Sequence, residues 1–592
     1  MVDYARHEGQ SQDAYTVERR LLPGVLAAVD SGVSTWEVLL KRLLRPFTVA
    51  VWAAAASIGP AASGATPAPA ILTPEPMRRL VASFNRHDHT HFGQAVPNEK
   101  TADWMAANVP LFECPDKDIE EIYHFRWWTF RKHIKETADG FVITEFLPKV
   151  PWSGKHNTIS CPAGHHFREG RWIRNPKYLD DYSVFWFRKG GSPRSYSFWA
   201  ADSIYQRAIT LGNFDRAVDL LPDLITNYEA WEKARLEPDG LFWQTDDRDG
   251  GEVSVAGRGH RGEGKRPTIN SYMYGDAMAI AAIAERAGKP EIAAEYRQKA
   301  GRLRKLVLEK LWDDDAKFFK VLPRGEGAAP VDVRELYGYT PWYFGLPPRG
   351  EGYEVAWKQL MDPQGFHAPF GPTTAERRHP GFTISYHGHE CQWNGPSWPY
   401  ATSVTLTALA NVLNDYPQES ITRRDYFETL KTYTKSHRLK REDGAVVPWI
   451  DENLNPFNGD WIARTRLKSW KNGTWDPGKG GVERGKDYNH STYCDLIITG
   501  LVGLRPQAND TVVVNPLLPE DTWDFFCLDG VPYHGRVLTI LWDRTGERYQ
   551  KGKGLRAFAD GREIAASATL SRIIGTLPEI PAENRPSGES RQ

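Results

Sequence analysis

The sequence is poor in cysteine. Five residues, Cys114, Cys161, Cys391, Cys494 and Cys527, are scattered over 592 positions. No C-x-x-C occurs, which argues against a zinc ribbon or a dithiol redox centre. There is no bias of charge either: 74 Lys+Arg stand against 75 Asp+Glu. A nucleic-acid binder that relies on bulk positive charge is thereby disfavoured. No segment reaches the ~18 apolar residues of a membrane-spanning helix. The zinc-protease H-E-x-x-H pattern and the Walker-type phosphate loop are also missing, so no metal or cofactor is expected. What the chain has in excess is tryptophan, 22 residues alongside 24 Tyr and 25 Phe. A buried indole N–H needs a partner, so this many Trp points to aromatic platforms as well as core.

Near the N-terminus, Lys41-Arg42-Leu43-Leu44-Arg45 precedes the apolar stretch Pro46–Ala56 and the small-residue run Ala61–Ala65. A basic flank, a short apolar core and small residues make a secretory pattern. Residues 1–66 therefore read as an extension with a signal-like segment at about 42–65, implying a secreted or periplasmic protein or a signal-anchor. The alternative is an Ala-rich surface helix on a cytoplasmic protein. Residues 67–114 form a lead-in.

From 115 to 505, helical periodicity alternates with long loops. Expected helices are Lys117–Thr137, Tyr196–Leu211, Asp215–Arg235 (with Pro222 as a kink or break), Ser271–Arg286, Pro290–Leu311, Tyr400–Leu413, Arg423–His437 and Tyr493–Leu504. Their apolar positions recur by threes and fours, and Gly288-Lys289-Pro290 is a stop and restart. Sequence-adjacent helix pairs suggest an α/α barrel or toroid with its site on long loops. After Pro506, runs such as Val512-Val513-Val514 and Val537–Trp542 are strand-like. Residues 506–570 thus read as a small β domain and 571–592 as a polar tail, disordered in part.

Three loops combine acids, amides and aromatics. The first, Asp246–Ser254, packs Asp246, Asp247, Asp249 and Glu252 into seven positions. Such crowding keeps a carboxyl protonated near neutrality, or is relieved by calcium, although the spacing is not that of an EF-hand. An acidic surface loop is the bland alternative. The second is His387–Trp398, where Trp393-Asn394-Gly395-Pro396-Ser397-Trp398 suits a sugar face and its hydroxyls; a plain helix start with core Trp is the alternative. The third is Trp449–Trp461, with Asp451-Glu452 and Asn455-Pro456, which reads equally as a turn. Phe125-Arg126-Trp127-Trp128 and Trp199-Ala200-Ala201-Asp202 fit a glycan site less specifically. Arg258, Arg261, Lys265 and Arg266, in and beside the Gly257–Gly264 loop, are solvated or face an acidic substrate.

In this order, the three loops resemble the clan of inverting α-glycosidases that contains trehalases, the processing α-glucosidase I family and mannosylglycerate hydrolases. Trp393-Asn394-Gly395-Pro396-Ser397-Trp398 matches the clan's Trp-x-Gly-Pro-x-Trp. Asp249-Gly250-Gly251-Glu252-Val253-Ser254 lies where the clan has its general acid, with Glu252 in place of the usual Asp and Asp249 as reserve. Glu452-Asn453-Leu454-Asn455-Pro456 resembles the segment that carries the general base. The resemblance covers about 115–505 and implies an (α/α)6 barrel and an inverting hydrolase of a glycosidic, α-type bond, with a carbohydrate as its partner. Glu252 would be the acid and Glu452 the base. Asp202, Trp127, Asp249, Tyr272, Trp393, Asn394, Trp398, Asn455 and Trp461 would contact substrate, and Trp243 and Trp449 would extend the aromatic wall. Competing classes are a polysaccharide lyase using Tyr272, His387 or His389, a non-catalytic glycan binder, and a phosphorylase-like relative.

Overall fold

The computed structural model describes residues 70–579 apart from 90, 259–260 and 470–483. The signal-like segment, the last part of the tail and two residues of the Gly257–Gly264 loop lie outside the described residues.

Helices dominate up to residue 501. They are α1 (Glu75–Asn85), α2 (Thr101–Asn108), α3 (Lys117–Lys132), α4 (Ala163–Gly170), α5 (Lys177–Arg188), α6 (Ala200–Leu211), α7 (Asp215–Arg235), α8 (Pro267–Arg286) and α9 (Pro290–Lys310). After them come the short α10 (Thr340–Tyr343) and α11 (Lys358–Met361), then α12 (Pro399–Asp415), α13 (Arg423–Ser436), α14 (Ile462–Ser469) and α15 (Cys494–Leu496), which runs on into a π-turn over Ile497–Leu501.

The boundaries follow local chemistry. The Asp116 carboxylate accepts the Ile119 N–H and starts α3. Thr422 and Asp425 form a reciprocal capping box at α13. Pro290 opens α9 just after Gly288, whose φ of +66° ends α8. Helix α3 stops at Lys132, short of the expected Thr137, because β-branched Ile134 and Thr137 enter a hairpin (Ile134–Thr137 with Gly140–Ile143) turned by Gly140 at φ +99°. Pro222 does not split α7, which runs unbroken from Asp215 to Arg235.

Helix α4 packs on α6, α6 on α8, α8 on α10, α10 on α12, α12 on α15, and α15 back on α4. Two of these contacts are reinforced at helix N-termini, where backbone N–H groups lack partners inside the helix. Glu169 of α4 accepts the N–H groups of Tyr493, Cys494 and Asp495 at the start of α15. Asp276 of α8 accepts the Asp202 N–H in the first turn of α6. Each acid sits where the helix dipole favours negative charge. Fully buried Trp127, Trp172, Trp186, Trp199, Trp342, Trp357 and Trp461 fill the core.

The β unit is an antiparallel sheet of β1 (Leu111–Glu113), β2 (Phe525–Tyr533), β3 (Arg536–Asp543), β4 (Gly554–Ala559) and β5 (Arg562–Ser567), in that spatial order. Its edge strand β1 comes from the lead-in, so the sheet is tied to the start of the helical part. A second sheet joins Leu504–Arg505, Thr511–Val514 and Ile573–Thr576, which places part of the expected tail in regular structure. Among the described residues, no helix is long and apolar enough to cross a membrane.

Candidate active site

A pocket of about 260 Å³ opens where the loops before α8, before α12 and before α15 meet the segment after the 134–143 hairpin. Its wall includes Glu145, Trp152, Glu252, Trp393, Trp398 and Arg484.

The acidic loop is organised by one of its own carboxylates. Asp246 accepts the Asp247 N–H at 2.8 Å and the Arg261 N–H at 2.7 Å, while its carbonyl accepts the Gly251 N–H. Gly250 turns the chain at φ +70°. Val253, next after Glu252, is held at φ +52°, a conformation that strains a β-branched residue. The result aims Glu252 into the pocket, where its Oε2 accepts the Trp393 indole N–H at 3.1 Å. Burial pushes the Glu252 carboxyl up to about 8, with Asp247 and Glu145 adding repulsion. It is therefore mostly protonated at neutral pH.

Glu452 is not on the pocket wall itself but is buried against two residues of that wall, Cys391 and Arg484. It is 1% exposed, and the Cys391 Sγ lies 3.7 Å from its Oε2. Arg484 bridges it to a second acid, with Nη2 2.5 Å from Glu452 Oε1 and Nη1 2.8 Å from Glu390 Oε1. Burial raises the Glu452 carboxyl, Arg484 pulls it back, and it rests at about 7. Cys391 feels the charge of both Glu452 and Glu252, so acids 200 positions apart in the chain converge on one short turn.

Several expected contacts sit elsewhere. Asp249 is buried behind the pocket, with Arg266 Nε at 3.3 Å and the Thr268 hydroxyl donating to it; an acid consumed in an internal ion pair is not placed to protonate a leaving group. Asp202 lines a different cavity with Gln206 and Tyr343. Trp127 lies wholly within the core, in edge contact with Tyr123 and Phe130. Tyr272, 2% exposed, packs against Trp199 and Phe344 and is absent from the pocket wall. Trp461 is core and donates its N–H to the Arg438 carbonyl at 2.9 Å. Asn394 and Asn455 also miss the wall: the Asn394 carbonyl accepts the Thr383 N–H, and the Asn455 amide donates to the Tyr386 hydroxyl. Trp243 is sandwiched between Arg235 and Arg324, and Trp449 lies beside Arg464. The aromatic wall thus draws on fewer of the expected tryptophans: Trp393 stacked on Trp398 at 4.3 Å, joined by Trp152 and by Phe146, Tyr196, Tyr400 and Tyr488. Of the basic residues near the Gly257–Gly264 loop, Lys265 pairs with Asp239 and Arg266 with Asp249, whereas Arg261 reaches Asp247 at the pocket rim.

Three participants had no motif. Arg484 sits in a glycine-rich, charged stretch that gives no signal. Trp152 stands alone between Pro151 and Ser153. Glu145 was detectable in principle, as a single acid inside the apolar run Phe141–Leu147. The Tyr488 hydroxyl donates to it at 2.5 Å, and burial lifts it to about 8.

Residues 155–491 match the model of the mannosylglycerate hydrolase MGH1-like glycoside hydrolase domain, and 504–566 match the C-terminal domain of glycosyl hydrolase family 65. A solved structure titled "Sialidase" is similar at 43% identity with a TM-score of 0.78, over 85% of this chain and 45% of that one. The chain thus spans less than half the length of that relative. A GH78 family rhamnosidase of Bacillus sp. GL1 is matched at 12% identity with a TM-score of 0.48, over 73% of this chain and 40% of that one. The GH63 mannosylglycerate hydrolase from Thermus thermophilus is matched at 13% and 0.42, over 58% and 98%. Neither of these two distant likenesses bears on the chemistry of this chain.

Proposed function

Because the chain belongs to the mannosylglycerate hydrolase MGH1-like glycoside hydrolase family, we propose that it hydrolyses a glycosidic bond with inversion, Glu252 acting as general acid and Glu452 as general base. The observation that carries this reading is the convergence of Glu252, on the pocket wall against Trp393, and Glu452, buried against the wall residues Cys391 and Arg484. Their environments differ as the two tasks require. Glu252 stays protonated against burial and neighbouring acids, and can donate to the departing oxygen. Glu452 is drawn toward its ionised form by Arg484, and can take a proton from water on the opposite face of the sugar. An inverting pair leaves room for that water, with carboxyls ~6.5–9.5 Å apart.

The circuit of helix contacts that returns from α15 to α4 supports reading the helical part as an (α/α)6 barrel. The pocket volume, about 260 Å³, lies below the usual range for drug-sized ligands and favours removal of one terminal sugar. With Glu252 and Glu145 protonated, the charges of Asp247, Glu390 and Glu452 are matched by Arg248, Arg261 and Arg484. That balance favours a neutral sugar over an anionic one. The lyase reading loses its tyrosine, since Tyr272 is buried away from the pocket.

The test is NMR of the first-formed anomer on a panel of aryl α- and β-glycosides. Hydrolysis of an α-glycoside to the β-anomer is expected. Release of the α-anomer from it, or an unsaturated product, overturns the proposal.

A further inference from the structure

A second polar region lies apart from the pocket just described. One cavity, of about 260 Å³, is lined by Arg168, Arg171, Arg505 and Arg572, and Asp415 is the only carboxylate on its wall. It adjoins a larger cavity of about 560 Å³, with which it shares Gln206, Tyr343, Asn411 and Asp415. Neither contains Glu252, Trp393 or Arg484.

The positive charge here is only partly answered. Asp495, behind the wall, serves both Arg168 (3.1 Å) and Arg171 (2.7 Å). Asp415 stands 3.8 Å from Arg505, whose best hydrogen bond is to the neutral amide of Asn411 at 2.6 Å. Arg572, brought in by the C-terminal β unit, makes no ion pair or hydrogen bond among the described residues. Four guanidinium groups thus face Asp415 and Asp495, with Asp202 of the adjoining cavity a third acid within reach of Arg168. A separate observation points to a ligand. The Tyr343 side chain, on the walls of both cavities, is 6% exposed, and its hydroxyl has no hydrogen-bond partner. A buried hydroxyl left unpaired is unfavourable. A tetrahedral oxyanion has the acceptors to meet it and the planar forks of the arginines.

We propose that this cavity is a binding site for a phosphoryl dianion, held by Arg168, Arg505 and Arg572 with the Tyr343 hydroxyl, which ties the β unit to the helical part. The arginine forks and the Tyr343 hydroxyl suit an anion with several acceptor oxygens rather than chloride. The adjoining cavity leaves space for a sugar attached to the phosphoryl group. The site is independent of the hydrolytic reading and stands if that reading fails.

The test titrates inorganic phosphate, and separately glucose 6-phosphate, into the full chain by calorimetry at ionic strength matched with sodium chloride. Arg572→Ala and Tyr343→Phe are run in parallel. One saturable site is expected for both probes, with affinity about tenfold or more weaker in Arg572→Ala. Arg572 is exposed, so that variant should fold. Tighter binding of glucose 6-phosphate identifies a sugar phosphate as the better occupant; equal binding identifies the free anion. Absence of saturable binding to the unmodified chain overturns the proposal. So does binding that Arg572→Ala leaves unchanged, as a phosphate in the catalytic pocket would.

Discussion

Arg484→Gln removes a cation while leaving a side chain that can still donate hydrogen bonds. Arg484 lies between two buried acids, 2.5 Å from Glu452 and 2.8 Å from Glu390. A hydrogen bond between charged groups contributes about 1.5–3 kcal/mol, so its loss raises the Glu452 pKa by about one to two units at 1.36 kcal/mol per unit. The present pair rests at about 7 for the base and about 8 for the acid. Simple two-site titration then places roughly 60% of the enzyme in the productive form, acid protonated and base ionised, near pH 7.5. Raising the base to about 9 puts it above the acid, moves the optimum to roughly pH 8.5 and leaves roughly 6% in the productive form. The expected outcome is therefore an optimum shifted by about one unit toward alkali and a maximal rate about tenfold lower. The assay is kcat/KM against pH on an aryl glycoside, with circular dichroism to establish folding. A folded Arg484→Gln enzyme whose acidic limb has not moved refutes the reasoning, because Glu452 would then not be the group that must ionise.

Other outcomes follow from the same geometry. Glu252→Gln should lower kcat/KM by about 10²–10⁴ on glycosides with poor leaving groups, and far less on a dinitrophenyl glycoside, whose leaving group needs no proton; equal losses would argue against an acid role. Asp249→Asn should act on stability, by about 1–3 kcal/mol, because it takes from buried Arg266 the nearer of its two carboxylate partners and leaves Glu335 at 3.9 Å; a chemical-denaturation curve measures this, and the folded variant should keep both pH limbs. Asp88→Asn should lower the melting temperature, since Lys132, fully buried, would lose one of its two carboxylate partners. Burial pushes Asp88 up, but Lys132 and Lys486 together hold it well below its ordinary value. Its contribution is thus present above the unfolded pKa of ~3.9 and disappears as pH falls through the lower folded value. Stability of the Asp88→Asn chain should accordingly depend less on pH below ~4, as urea titrations at several pH values would show.

Much of the helical frame was legible because its signals are local. The Gly288-Lys289-Pro290 break and the apolar spacing of α7 and α8 gave boundaries within a few residues of those observed. Helix α5 was missed although Tyr178, Leu179, Tyr182, Phe185 and Trp186 recur at helical spacing. Within the site, Trp393 and Trp398 could be read from a motif. Arg484 could not, because its importance comes from what packs beside it rather than from its neighbours in the chain, whereas Glu145 carried only the weak signal of a lone acid in an apolar run. The tryptophan excess misled in the same way. Trp127 and Trp461 lie in aromatic-rich segments, yet burial assigns them to the core. Aromatic-rich sequence alone does not separate a platform from a core residue; what the indole packs against does. Trp461 is enclosed by core, whereas Trp393 lies on the pocket wall and donates to the candidate acid.

The most direct test is kcat of Glu452→Gln on a substrate that the unmodified enzyme turns over. Glutamine keeps the size of the side chain and a hydrogen-bonding oxygen but cannot take a proton from water. The expected result is a loss of about 10²–10⁴ in kcat with substrate still bound. Near-full turnover by a folded Glu452→Gln enzyme would contradict the assignment and return the search to the acids on the pocket wall besides Glu252, namely Glu145, Asp247 and Glu390.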